Sequence, residues 1–324
     1  MKKDIPFLNK LLYVVALSIF LISVSSCGLD VMSGSSEQND YLHQLSDKVS
    51  PSEFVDANFS VLIPSPLENG EVMCLDVLDE ITGINENFTR HFLKSDDNKY
   101  YSATIPVILN SEIKYRYVKV GDTDTHEITA FNSLVRYRMA HISENIIFKD
   151  TVAAWSDQTY IEPYGKLSGM VVDAKSGSGV PDILVSVAGY QTFTDMSGNF
   201  LIDGIHPGIH NLVAYAIDGS YETFQQGTNI LSGLSTHAEI KLNPLPEVTV
   251  SFIVNPPNDA IGAPIRFAGN FYQLGNTFSD LSNGTSTLSS RMPLLIKMED
   301  GRYGISLKLH AGSFLEYKYT LGDG

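Results

Sequence analysis

Tyr101-Ser102-Ala103-Thr104-Ile105-Pro106-Val107, followed by Ile113-Lys114-Tyr115-Arg116-Tyr117, is met a second time in the same chain. The second copy is Tyr303-Gly304-Ile305-Ser306-Leu307-Lys308-Leu309, followed by Leu315-Glu316-Tyr317-Lys318-Tyr319, aligned without a gap. Each copy is preceded by an apolar run ending at proline, Ser60–Pro64 and Val250–Pro256, and each reaches Gly-Asp, at Gly121-Asp122 and Gly322-Asp323. Alternating apolar and polar residues, rich in β-branched and aromatic types, are the pattern of half-buried strands. Repetition of the whole pattern means that one structural unit occurs twice.

Outward from the repeat, almost every apolar stretch after Phe59 is short and bounded by Gly, Pro, Asn or Asp. No segment holds a 3.6-residue period over three turns, and only Asp76–Thr89 has room for a helical turn. The predicted fold class is all-β, as tandem antiparallel β-sandwiches. Residues 57–160 form one module, 165–243 a different and smaller one, and 247–324 a second copy of the first. Module one runs some forty residues past Tyr117, whereas the sequence stops soon after Tyr319. The last copy is therefore read as truncated, within a protein that continues.

The chain has 324 residues, 37 acidic against 22 basic, for a net charge of −15. Such a balance disfavours nucleic acid, whose phosphates demand basic surface. Hydrophobic residues at 43% and charged residues at 18% describe a folded chain. Two cysteines exclude a disulfide scaffold and a cysteine-rich metal site.

Lys2, Lys3 and Lys10 precede an apolar run, Leu11–Ile22, which is shorter than the roughly 20 residues of a membrane-spanning helix. Residues 1–26 read as a secretory signal. Val24-Ser25-Ser26-Cys27 resembles a bacterial lipobox, which implies lipidation of Cys27, membrane attachment through acyl chains, and an extracytoplasmic location. Residues 27–56 are polar enough to act as a tether. Cys74, in Val72-Met73-Cys74-Leu75, reads as a core residue.

The middle module carries Gly169-Met170-Val171-Val172-Asp173, Ser176-Gly177-Ser178-Gly179-Val180-Pro181 and Thr194-Asp195-Met196-Ser197-Gly198-Asn199-Phe200. It continues with Gly204-Ile205-His206-Pro207-Gly208 and Asn211-Leu212-Val213-Ala214-Tyr215. It resembles the carboxypeptidase regulatory-like domain, which implies a seven-stranded transthyretin-like sandwich without catalytic residues. Asp195 through Gly198 and Pro207-Gly208 suit tight turns.

Phe267-Ala268-Gly269-Asn270, Leu274-Gly275-Asn276, Asp300-Gly301-Arg302-Tyr303 and Leu315–Tyr319 make the last module similar to starch-binding carbohydrate modules. Module one shares Tyr115-Arg116-Tyr117 and the strand pattern. The resemblance implies α-glucan binding by aromatic stacking with lysine and asparagine hydrogen bonds. Lys318 falls on the family's binding lysine. The family's tryptophan after Leu-Gly-Asn is here Thr277, with Phe278 beside it.

The sugar-binding candidates are Lys318, Asn270, Phe271, Tyr272, Phe278 and Trp155, the last with a core plug as its alternative. His141-x-x-Glu144 has the spacing of a zinc pair but no third ligand or catalytic domain. His206 and His210 flank a turn and read as strand residues. Asp96-Asp97-Asn98 and Gly121-Asp122-Thr123-Asp124 read equally as calcium loops or acidic turns. No catalytic constellation and no cofactor motif stands out, so the chain is read as a non-enzyme needing no cofactor. Its main functional reading is polysaccharide binding, with α-glucan as the candidate ligand. The alternative is a structural or protein-interaction stalk, or the positioning part of a longer enzyme or receptor.

Overall fold

The computed structural model describes residues 53–79, 88–144, 146–276 and 289–321. The signal segment, Cys27, most of the tether, Thr277 and Phe278 lie outside the described residues. From Phe54 onward the chain forms one compact unit. Among the described residues it is all-β, with two short 3-10 turns and no α-helix. The stretch with room for a helical turn is strand at both ends.

The first sandwich uses β1 (Phe54–Leu62), β2 (Val72–Leu78), β3 (Phe88–Phe92), β4 (Tyr100–Ile108), β5 (Glu112–Val120), β6 (Asp124–Ile128), β7 (Arg138–His141), β8 (Ile147–Thr151) and β9 (Ala154–Trp155). One sheet runs β4-β1-β8 and the other β3-β2-β5-β6-β9, with β7 also on β5. Strand alternation puts Ala57, Phe59 and Val61 of β1 inward, all fully buried beside Tyr115, Tyr117, Phe148 and Trp155. Each large side chain buried this way contributes roughly 1.5–3 kcal/mol. Cys74 is a buried core residue whose thiol pKa burial pushes up to about 11.

The second sandwich has seven strands: β10 (Gly165–Asp173), β11 (Ile183–Val187), β12 (Tyr190–Phe193), β13 (Asn199–Ile205), β14 (Gly208–Ala216), β15 (Phe224–Ile230) and β16 (Ser235–Leu242). Its sheets run β13-β10-β16 and β12-β11-β14-β15. Asp195 Oδ1 accepts the Ser197 and Asn199 N–H groups, and Gly198 takes φ +81°, which closes the turn before β13.

The third group comprises β17 (Glu247–Val254), β18 (Arg266–Gly269), β19 (Ile296–Lys297), β20 (Tyr303–His310) and β21 (Tyr317–Thr320). β17-β20-β19 form one sheet and β18-β21 pair in another. Phe267, Phe271, Leu274 and Tyr303 anchor its core.

Among the described residues, pairing is antiparallel with two exceptions: β1 with β8, and β10 with β16, are parallel. In each case a strand late in the sandwich crosses over to lie beside the first strand. Antiparallel hairpins alone cannot make that connection, and the sequence pattern does not announce it.

Candidate functional site

Two of the aromatic candidates are consumed by packing. Trp155 pairs with Glu127 across β9 and β6 and is fully buried in the first core, the plug alternative rather than a platform. A ring without an exposed face offers nothing for a sugar to stack on. Phe271 is 1% exposed. It follows a loop-like stretch, but the second sandwich covers it: a Cβ on Gly219 would lie 2.8 Å from its ring.

Asn270 is also buried, and its amide brackets backbone. Nδ2 donates to the Phe314 carbonyl at 3.0 Å, and Oδ1 accepts the Glu316 N–H at 3.0 Å. Tyr272 keeps 40% of its surface exposed, but the Arg291 guanidinium stands 4.0 Å above its ring centre. Lys318 lies on β21 opposite Ala268, half-buried. Its neighbours Tyr317 and Tyr319 share the face that meets Phe267, Tyr317 stacking on that ring at 4.7 Å. The described candidates therefore do not converge into one sugar cleft.

His141 turns to Glu112, with Nδ1 at 3.1 Å from Oε1. Asp97 Oδ1 accepts the Lys99 and Tyr100 N–H groups, the work of an acidic turn. No group of three metal-ligating side chains is found among the described residues.

What the structure does build is a pair of seams. At the first, amide side chains of the second sandwich read the backbone of Tyr137 and of β7 directly after it. Gln191 Nε2 donates to the Tyr137 carbonyl at 2.8 Å, and Asn211 Nδ2 to the Met139 carbonyl at 3.1 Å. Gln225 accepts the His141 N–H at 2.8 Å and donates to the His141 carbonyl at 2.9 Å. Three amides on β12, β14 and β15 thus act as a surrogate strand for β7. Beneath them Met139 packs with Leu184, Val213 and Tyr215. Two glycines with positive φ let the surfaces close: Gly189 against Val135 and Gly204 against the ring of Phe131.

Behind this seam lies a buried charge network. Arg138 Nη2 meets Glu127 Oε2 at 2.8 Å, and its Nη1 lies 3.3 Å from Asp150 Oδ1. Asp150 Oδ2 also accepts the hydroxyls of Tyr115 at 2.7 Å and Tyr117 at 2.9 Å. Burial alone would lower the Arg138 pKa, but Glu127 and Asp150 overcome it and hold it above the ordinary value. Burial, reinforced by Asp150, raises both tyrosines. His206 and His210 sit nearby with ring centres 4.9 Å apart. Burial, with His210 and then Arg138 adding, lowers the His206 pKa to about 3; burial and Arg138 lower that of His210 to about 4.

The second seam joins the middle sandwich to the last. Tyr272 N–H donates to the Ile217 carbonyl at 2.9 Å, Gln273 Nε2 to the Asp218 carbonyl at 3.1 Å, and Leu245 N–H to the Ser220 carbonyl at 2.9 Å. Phe271 is the apolar wedge between them.

The seams escaped the sequence reading, although one signal was present. Ile183–Val187 and Leu212–Ala216 are nearly continuous apolar runs without alternation, and both are buried on both faces. A strand with two apolar faces needs a cover on each side, and the first sandwich supplies the second cover.

No family model and no curated protein matches this chain. Among solved structures it is similar to a streptococcal ancillary pilin, at 9% identity over 82% of this chain and 95% of that one, with a TM-score of 0.27. The minor pilin of Streptococcus agalactiae matches at 12% identity over 59% of this chain and 97% of that one, TM-score 0.25. A family 15 glucoamylase from Hypocrea jecorina matches at 13% identity over 31% of this chain, TM-score 0.25, and this chain spans only 18% of its length. At such identities and scores these likenesses carry no argument about function.

Proposed function

We propose that this chain is a non-catalytic, surface-exposed spacer whose sandwiches are locked together to hold or present a protein partner. The observation that carries this reading is the first seam, where three amides and a shared apolar core fix β7 to the second sandwich. Independent sugar-binding modules on flexible linkers need no such joint. Attachment through lipidated Cys27 and a tether over 27–56 belongs to the same proposal. An acidic surface suits an exposed soluble region.

Spin labels test the locking. With Cys27→Ser, labels at Thr104→Cys and Glu239→Cys, both exposed positions, should give a single narrow distance distribution. Buried Cys74, with its raised thiol pKa, stays unlabelled. A broad distribution would overturn the spacer reading. Incorporation of an alkyne fatty acid into the wild type, absent from Cys27→Ser, is the expected sign of the anchor.

The α-glucan reading meets its own test in native gels cast with soluble starch or glycogen. The spacer reading predicts unchanged mobility in both. Retardation that disappears in Lys318→Ala would replace it with glucan binding at β21.

A further inference from the structure

Glu112 opens β5 with a side chain only 7% exposed, and its hydrogen bonds fall on one oxygen. Thr223 Oγ1 donates to Oε1 at 2.6 Å, and His141 Nδ1 lies 3.1 Å from the same atom. A carboxylate only accepts, so the imidazole donates there. Among the described residues Oε2 accepts no bond, and it is not sealed from its surroundings. A carboxylate withdrawn this far from water with one oxygen unanswered is costly, and the fold keeps it.

Glu112 lines a cleft of about 320 Å³ where the three sandwiches meet. Small-ligand sites favour such junctions, at volumes from roughly 300 Å³ upward. Tyr215, Phe271 and Phe314 supply aromatic wall, and Glu222 adds a second, exposed carboxylate, bonded by Asn243 Nδ2 at 2.8 Å. Lys114, two residues along β5, is buried with Nζ 5.7 Å from the centre of the Tyr215 ring. Counting Lys114 against Glu112 and Glu222, the cleft is one positive charge short.

We propose that this cleft binds a primary ammonium carried on an aliphatic shaft, whether a lysine side chain or a free diamine. The methylenes lie against the aromatic wall and the ammonium meets Glu112 Oε2. The choice of cation follows from the count of open oxygens. A guanidinium is held best by two carboxylate oxygens at once, and Oε1 is already spent on Thr223 and His141. An ammonium is a compact point charge that one oxygen serves. As a lysine of a partner protein the ligand rests on the spacer reading; as a free diamine it does not.

The probes are the N-acetyl methylamides of lysine, arginine and norleucine, together with cadaverine. Each is titrated calorimetrically into the 324-residue chain in mildly alkaline buffer. Saturable binding of the lysine compound is expected, with arginine weaker by about tenfold or more and norleucine inert. Glu112→Gln should weaken lysine by a similar factor. Its amide oxygen can still accept from Thr223, while its NH2 group turns a donor toward the ligand. Thr223→Val frees Oε1 of one donor and should narrow the preference for lysine over arginine, a gain that misfolding cannot mimic.

An unchanged circular dichroism spectrum of Glu112→Gln separates lost binding from lost folding. Cadaverine binding without the lysine compound assigns the site to a free amine; lysine binding as tight as cadaverine assigns it to a protein-borne lysine. No binding of either amine, or equal binding of all three blocked amino acids, would overturn the proposal. So would undiminished binding to Glu112→Gln, or an unchanged preference in Thr223→Val. The spin-label distances are read without ligand and judge the spacer reading separately.

Discussion

The ring of Phe59 meets that of Tyr115 edge-on with 5.1 Å between centres, and 202 residues after Tyr115 the repeat sets Tyr317 against Phe252 at 5.2 Å. Edge-to-face contact at this distance is the favoured geometry of aromatic pairs. The pair is the same; its surroundings are not. Tyr115 gives its hydroxyl to buried Asp150, whereas Tyr317 is half-buried. Tyr115→Phe should therefore destabilise the protein by roughly 1–3 kcal/mol, by removing a donor from a buried carboxylate. Tyr317→Phe should shift it by less than about 0.5 kcal/mol. Urea midpoints read the difference, and equal shifts would contradict it.

Gln225 closes both backbone groups of His141. Gln225→Ala leaves a donor and an acceptor without it, and a loss of roughly 2 kcal/mol is expected. Amide exchange at His141 should accelerate while the strands of the last sandwich keep their protection. Lys166→Ala, which breaks an exposed ion pair with Asp203, serves as the contrast, with little change in stability expected because solvent screens the pair.

Two glycines of similar backbone geometry isolate the second seam. Gly219 has φ +78° with the ring of Phe271 in the path of a Cβ; Gly177 has φ +71° and open space around it. An alanine at Gly177 meets only backbone strain, about 1 kcal/mol. At Gly219 it meets that strain and the Phe271 ring, so the loss should exceed the Gly177 value by about 1 kcal/mol or more. Equal melting temperatures for the two variants would show that Phe271 yields freely.

His206 and His210 give the fold a dependence on acid. Their pKa values of about 3 and about 4 lie below the ordinary 6.5 because burial disfavours the charged ring. Between about pH 4 and 6.5 the unfolded chain binds protons that the fold refuses, so stability rises with pH across that window. It is fully present above about 6.5 and falls toward pH 4, by up to about 1.4 kcal/mol per pH unit for each ring. His91 and His126, lowered mainly by burial, add in the same direction. Asp173 and Asp195 are lowered from 3.8 and act below this window. Unfolding curves of His206→Gln with His210→Gln should be flatter between pH 4 and 6.5, and an unchanged slope would rule this origin out.

Strands, turns and the repeat were legible because they are written locally. The alternation in Tyr101–Val107 is a period-two signal, and Asp195–Gly198 carries its turn in its own side chains. Trp155 was legible as a core plug beside its reading as a platform, and it is buried; Phe271 was legible as aromatic but not as buried. Exposure depends on what another sandwich lays over the residue, and no local pattern encodes that. Gln191, Asn211 and Gln225 look like ordinary solvent-facing strand residues until β7 is placed beside them. Lys318 keeps its place on β21, yet the aromatic and amide groups expected around it have other employment.

The parallel pairing of β10 with β16 bears on how the middle sandwich responds to mechanical load. Its chain enters at the start of β10 and leaves at the end of β16, and the two strands lie side by side from Lys166↔Ser235 to Asp173↔Leu242. Tension applied through the flanking chain pulls these strands in opposite directions along their length. Every inter-strand bond is then loaded at once in shear, rather than one after another as in peeling a hairpin apart. In single-molecule pulling, the middle sandwich should rupture at high force, and a proline at Gly169 should lower that force sharply. Under the spacer proposal, with the chain held at one end and loaded at the other, this is the geometry in which it would bear stress.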